Sequence, residues 1–283
     1  MADNNCRIPD MARLPARLSP RTPQRSTSGA DYQNVPRPVA AMARDLPPDH
    51  EIDWHQHPRF QVIYGTEGVM RVDTHDETWV VPPMRAVWMP PKTPHRIRTS
   101  GPVKMRTLYI RADASERMPQ ACHVLPVTPL LRELIQRATE MPVDYDEQGA
   151  DGRVMRLILD ELASLARLPY NLPMPRGEPL QEICARLVDD PAAGTRDEVA
   201  ARHGFTGRTL ERHFQRQLGM SFGEWCRRAA LLRALAWFAE GRPVTAVALD
   251  LGYSSLSAFC AMFKRETGRT PREYRREMRP AST

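Results

Sequence analysis

The sequence predicts an α+β chain, with an antiparallel β barrel or sandwich in its first half and helices from there to the end. Three observations predict it. Six short β-type runs crowd between residues 50 and 125, stripes of helical period begin near Thr128, and the last third repeats a pattern of helix, tight turn and helix. The 283 residues suffice for two domains of ordinary size. With 41% hydrophobic and 26% charged residues, the composition is that of a globular protein.

Taken in order, residues 1–45 are rich in Pro, Arg, Ser and Thr and poor in aromatics, which predicts a disordered leader. The β-type runs follow: "FQVIY", "GVMRV", "TWVVP", "AVWMP", "HRIRT" and "MRTLYI". Gly68, "DTHDE" and prolines at 82–83 and 90–94 punctuate them, and the barrel is expected to occupy 46–125. In "PLLRELIQRA", Leu130, Leu131, Leu134, Ile135 and Ala138 recur at helical spacing. Val154, Leu157, Ile158, Leu162 and Leu165 make a second stripe. Helices within 126–169 are thus expected, either covering the barrel or pairing two protomers. "LPYNLPMPRG", residues 168–177, carries three prolines and a glycine and predicts a linker, placed at 170–177. No run of about 18 apolar residues occurs, so no membrane partner is expected. Cys6, Cys122, Cys184, Cys226 and Cys260 are scattered, with no Cys-x-x-Cys pair, which fits a reduced, cytoplasmic compartment.

Charge is unevenly placed. From Thr195 onward there are 16 Arg or Lys against 9 Asp or Glu, while residues 1–194 hold 24 against 25. A basic C-terminal third suggests a polyanion partner for that third alone. The same third contains the repeat. "TRDEVAARHGFTGRTLERHF" and "PVTAVALDLGYSSLSAFCAMF" align so that Val199 matches Val247, Ala200 matches Ala248, Gly204 matches Gly252 and Phe205 matches Tyr253. One extra residue in the second copy then sets Leu210 against Phe259 and Phe214 against Phe263. A small residue followed four positions later by glycine is what two closely packed helices joined by a tight turn require. The two helix-turn-helix units are placed at 195–218 and 243–267. Thr195 with Glu198, Ser221 with Glu224 and Thr270 with Glu273 have capping-box form. Between the units, Glu224 to Ala239 reads as one helix of about 24 Å, a spacer suited to two recognition helices about one DNA turn apart.

Residues 178–283, and "GYSSLSAFCAMFKRETGRTPREYR" in particular, resemble the AraC-type DNA-binding domain of transcription regulators. The resemblance implies double-stranded promoter DNA as partner, and RNA polymerase if the protein activates. It places base contacts at Arg208, Glu211 and Arg212 in the first unit, where arginine suits guanine and glutamate suits cytosine N4. In the second unit the matching positions are Ser255, Leu256, Ser257 and Ala258. Ala261 stands where many relatives carry a longer polar side chain, which leaves hydroxyls and thymine-methyl contacts to that helix. Arg216, Lys264 and Arg265 are expected on phosphate.

The β-rich part contains "WHQHPRFQ", in which His55, His57 and Gln61 share strand parity. It resembles the N-terminal cupin sensor of many AraC-type regulators. Cupins carry His-x-His, an acidic residue, a glycine and a later histidine; here His55, His57, Gln61, Gly68 and His95 stand in that order. The resemblance implies a small-molecule or metal effector. Three imidazoles and an amide oxygen suit Zn, Ni, Co or Cu better than Mg or Ca, and organic-effector hydrogen bonding is the alternative use. Trp54, Phe60, Tyr64, Trp79 and Trp88 are candidates to line the barrel or simply to pack it. The expected function is a regulator rather than an enzyme, with a homodimer as a further expectation. The alternative is a metal-dependent cupin dioxygenase or isomerase. Against it, Gln61 removes the usual carboxylate, no general base accompanies the trio, and an enzyme has no use for a tandem DNA-binding module.

Overall fold

The computed structural model describes residues 25–114, 119–166, 168 and 171–278. Its strands are β1 (Val39–Leu46), β2 (Glu51–His55), β3 (Phe60–Glu67), β4 (Met70–Asp73), β5 (Glu77–Val81), β6 (Arg85–Met89), β7 (His95–Thr99), β8 (Val103–Ile110), β9 (His123–Pro126) and β10 (Asn171–Pro173). They form two antiparallel five-stranded sheets, ordered β1-β8-β3-β6-β9 and β10-β5-β4-β7-β2. The period-two alternation of strand side chains explains how the sheets pack. Along β1 and β3, Ala40, Met42 and Ile63 turn inward between the sheets and join Met70, Val72, Trp79, Ile97, Met105 and Tyr109. Val39, Ala41, Phe60, Val62 and Tyr64 turn outward, and two helices cover them.

Those helices are α1 (Pro129–Glu140) and α2 (Ala150–Ser164). Thr128 caps α1 by accepting from the Leu131 amide at 3.1 Å. Leu131, Ile135, Ala138, Met155, Ile158 and Leu162 bury against the first sheet, each of the Leu, Ile and Met side chains contributing about 1.5–3 kcal/mol. Leu130 and Leu157 of the expected stripes stay 49% and 41% exposed, so the buried face is narrower than the sequence pattern. Phe60, Tyr64 and Trp88 belong to this outer layer and do not line the barrel. Trp79 is buried within the inner cluster, and Trp54 lies outside, stacked on His75 at 4.5 Å.

Two expectations need correction. The disordered leader over 1–45 holds no further than residues 1–24, which lie outside the described residues. Beyond them a short 3-10 helix, Gly29–Tyr32, precedes β1, which pairs with β8 along its whole length. "VAAMARDL" has weak strand propensity because three of its residues are alanine, but the free edge of β8 and the barrel interior decide the matter. The linker at 170–177 is also partly strand. β10 covers the edge of β5, from Asn171 opposite Trp79 to Pro173 opposite Glu77.

The helical half contains α3 (Leu180–Asp189), α4 (Arg196–Arg202), α5 (Gly207–Leu218), α6 (Phe222–Ala239), α7 (Val244–Asp250), α8 (Leu256–Thr267) and α9 (Pro271–Met278). All three capping boxes form: Thr195 with Glu198, Ser221 with Glu224 and Thr270 with Glu273. Long and apolar, α6 buries Trp225, Ala229 and Leu232 but also Leu231, Ala234 and Leu235, because it touches both helix-turn-helix units and the barrel. No described helix is long and apolar enough to cross a membrane.

The two halves meet along α6 and α3. Trp225 Nε1 donates to the Pro173 carbonyl at 2.7 Å. Asp73, buried in the second sheet, accepts from Arg71 at 2.9 Å, Arg96 at 3.0 Å, Arg98 at 2.7 Å and the Thr78 hydroxyl at 2.7 Å. Burial alone would raise its carboxyl, but Arg71, Thr78 and Arg98 together hold it below the usual carboxylate range. Arg71 reaches across to Asp189 of α3 at 3.1 Å.

Candidate functional site

The repeat folds as two helix-turn-helix units. Gly204 and Gly252 take φ of +73° and +75°, the left-handed conformation that glycine adopts without a Cβ penalty. Ala200 and Ala248 are buried at the helix crossings, and Leu210, Phe214, Phe259 and Phe263 are fully buried behind them. The opposite faces of α5 and α8 are free. Arg208 and Arg212 are exposed on the first two turns of α5, with Glu211 half-buried beside them. On α8, Leu256, Ser257, Ala258 and Ala261 are exposed. Ser255 is the N-cap of that helix, its hydroxyl accepting from the Ala258 amide at 3.2 Å. Arg216, Lys264 and Arg265 lie one to two turns further on, all exposed, with Arg265 beside Glu266 at 3.3 Å. Every base and phosphate candidate therefore sits on or at the N-cap of the second helix of its unit.

In the barrel, His55 ends β2 and pairs directly with His95, which opens β7. A β-bulge between Ile52 and His55 re-aims the strand there. His57 lies in the loop between β2 and β3, and Gln61 points inward from β3. One ring nitrogen from each histidine lies within 4.8 Å of the others, so the three residues singled out by spacing do come together.

Proton placement gives this cluster its character. Nδ1 of His55, His57 and His95 lies 2.8, 2.7 and 2.8 Å from the carbonyl oxygens of Asp53, Arg59 and Thr93. A carbonyl only accepts, so in the neutral rings Nδ1 carries the proton and Nε2 offers a lone pair. Gln61 Oε1 lies 2.8 Å from Nε2 of His57 and 3.2 Å from Nε2 of His95. Its amide cannot be turned over at no cost. Gln61 Nε2 donates to Thr107 Oγ1 at 3.0 Å, and that hydroxyl already gives its proton to the Val62 carbonyl at 2.9 Å. In this orientation of the amide, which also sets Gln61 Nε2 3.3 Å from the Tyr109 hydroxyl, imidazole and amide lone pairs converge as they would on a cation. Burial pushes His95 down to about 3 and lowers His57 against the opposing pull of Gln61 and the Arg59 carbonyl, so a proton is an unfavourable cation here.

Beside the trio is a cavity of about 290 Å³. Met42, Ile52, Ile97 and Met105 give it apolar walls, and Arg44, Gln61 and Tyr109 give it polar ones. The turn at Gly29–Tyr32 closes one side, and Tyr32 stacks on Tyr109 at 6.0 Å between ring centroids. Sequence reasoning missed Arg44, Thr107 and Tyr109. Arg44 fell within the segment expected to be disordered, and the other two are ordinary strand residues until Gln61 is placed beside them.

The AraC-like ligand binding domain family matches residues 41–172, and a helix-turn-helix domain family matches residues 199–277. The HTH-type transcriptional regulator NimR of Escherichia coli (strain K12) is 29% identical over 221 residues, covering 78% of this chain and 81% of that protein. The regulatory protein SoxS of Salmonella typhimurium is 37% identical over 83 residues, 29% of this chain and 78% of its own length. The HTH-type transcriptional regulator RipA of Corynebacterium glutamicum is 32% identical over 100 residues, 35% of this chain and 30% of that protein.

Proposed function

The chain belongs to the AraC-type transcription regulators, with an N-terminal ligand-binding domain and a C-terminal DNA-binding domain, and we propose that α5 and α8 read promoter DNA while the barrel cavity takes the effector. The observation that carries this reading is the tandem unit itself. Two helix-turn-helix motifs share α6, and each leaves its second helix exposed on the side away from the core.

The chemistry of the two helices differs. Arg208, Glu211 and Arg212 make α5 the discriminating reader, able to reach guanine O6 and N7 and cytosine N4. With Leu256, Ser257 and Ala258, α8 is suited to hydroxyl and thymine-methyl contacts. Arg216, Lys264 and Arg265 anchor phosphate and set the salt dependence. In the barrel, the donor set of His55, His57, His95 and Gln61 fits a divalent transition metal such as Zn, Ni, Co or Cu. Such an ion would supply Lewis acidity toward an effector, while the three backbone carbonyls on Nδ1 hold the rings in the ligating tautomer. Leu130 and Leu157, exposed on α1 and α2, support a homodimer through that face, and RNA polymerase is the further partner if the regulator activates.

The test is equilibrium binding of the full chain to a duplex from its own upstream region. Affinity should fall by orders of magnitude between about 50 and about 200 mM salt. Arg212→Ala should lose about 1–3 kcal/mol of discrimination against single base-pair changes, whereas Arg265→Ala should weaken all duplexes nearly equally. Salt-insensitive binding, or uniform weakening by both variants, contradicts the assignment of roles.

A further inference from the structure

We propose that the barrel cavity takes a small organic anion, a carboxylate or a phosphate monoester, whose charged group is held by Arg44. The proposal rests on the reading of the barrel as the effector domain and names the chemistry of its ligand.

Strand parity brings Arg44 to the cavity. It follows Ala40 and Met42 on the inward face of β1 and pairs with Met105 of β8. Its neighbour Asp45 faces the other way and is taken by Arg106 at 2.9 Å. Among the described residues no carboxylate pairs with Arg44; its guanidinium has the His50 ring nitrogen at 3.3 Å. Of the described residues that line the cavity, Arg44 is the one with a permanent charge.

A guanidinium set into a mostly apolar wall selects what enters. A neutral ligand that fills the cavity strips water from Arg44 and returns no countercharge, which is costly. An oxyanion restores the balance and accepts the paired N–H groups that arginine offers in a fixed fork. Met42, Ile52, Ile97 and Met105 suit a compact hydrocarbon or aryl body rather than a sugar. At about 290 Å³ the cavity lies at the small end of ligand sites. Carboxylate and phosphate share the recognition at Arg44, and the probes below separate them.

The experiment is calorimetric titration of the full-length protein with benzoate, phenyl phosphate and benzamide, the neutral isostere of benzoate. Inorganic phosphate reports any demand for the organic body. At least one organic anion should bind about tenfold or more tightly than benzamide, the margin expected of one charge-assisted fork. Arg44→Gln should bring the anion to the level of benzamide, and Arg44→Lys should keep part of the preference. Benzamide binding as tightly as both anions, binding by none of the organic probes, or an anion preference intact in Arg44→Gln overturns the proposal. DNA binding is measured on the same samples. Arg44→Gln that keeps the wild-type near-ultraviolet circular dichroism of the barrel tryptophans and tyrosines is folded, so its titration is decisive. Failure of the wild-type protein to bind DNA would instead bring down the regulator reading and leave the anion preference to be judged by itself.

Discussion

His95 has no accessible surface, and burial, not a charged neighbour, is the main reason its imidazole is pushed down to about 3. The same cause lowers His57. A metal ion competes with protons for imidazole lone pairs. A free imidazole is half protonated near pH 6.5, whereas these two resist protonation to lower pH. Acid therefore competes for the lone pairs of His57 and His95 only below the ordinary imidazole range, later than it would at exposed histidines. The expected outcome is about one divalent transition metal per chain, by elemental analysis of protein purified without an affinity tag. Stepwise acidification should leave the metal bound through the ordinary histidine range and release it below. His57→Ala with His95→Ala should abolish retention. A metal-free native protein that still regulates would make the trio a hydrogen-bonding wall for an organic effector. "His-x-His" was readable as a pattern; the tautomers that give it meaning depend on carbonyls at Asp53, Arg59 and Thr93, which no spacing rule reveals.

At the scale of elements, the two tight turns are the most exacting positions. Gly204 has nothing within 4 Å of where a Cβ would stand, so Gly204→Ala meets only the left-handed backbone penalty of about 1–2 kcal/mol. Gly252→Ala adds a contact at 3.3 Å with the Ala192 side chain and should cost somewhat more. Urea unfolding of the two variants checks both the magnitude and the order; a neutral Gly204→Ala would mean that the first turn does not need φ > 0. The six strands that β-branched and aromatic runs predicted are all present, because those residues pack well on a pleated, half-buried surface. The four others were silent for separate reasons. β1 is alanine-rich, β2 carries "EIDWH", β9 is four residues long, and β10 ends in proline. Each is recruited by an edge or a partner rather than by its own propensity. The helices of the last third were readable almost to the residue, since caps, turn glycines and apolar stripes agree there.

For the whole molecule, a continuous buried cluster runs from the barrel interior through Leu172 to Trp225 and on to Phe214 and Phe263. Such a shared core should make the two halves unfold together. Trp225→Phe keeps an aromatic ring near Phe214 but removes the hydrogen bond to the Pro173 carbonyl, a loss of about 1 kcal/mol. Differential scanning calorimetry should show one main transition in the wild type and a lower or divided transition in Trp225→Phe. Two transitions already present in the wild type would show that the seam does not couple the halves. The ion pair from Arg71 to Asp189 joins the same seam, but Asp189 is 74% exposed, so it adds little against solvent.

The sequence by itself determined the order of the two parts, the two helix-turn-helix units, the exposed faces of α5 and α8, and the three histidines that cluster. The first two follow from local periodicity, from caps a few residues apart and from the repeat, all of which are written along the chain; the exposed reading positions and the third histidine follow from the resemblance to AraC-type regulators and cupins. Tertiary structure alone decided that β1 and β10 are strands, that Phe60, Tyr64 and Trp88 face α1 and α2, and that Arg44 stands in the cavity with no carboxylate partner among the described residues. The physical reason is that edge pairing, sidedness in a two-layered barrel and the partner of a charge are set by residues distant in sequence. Ala40 takes its conformation from Tyr109, 69 positions later, and no pattern around Ala40 records it.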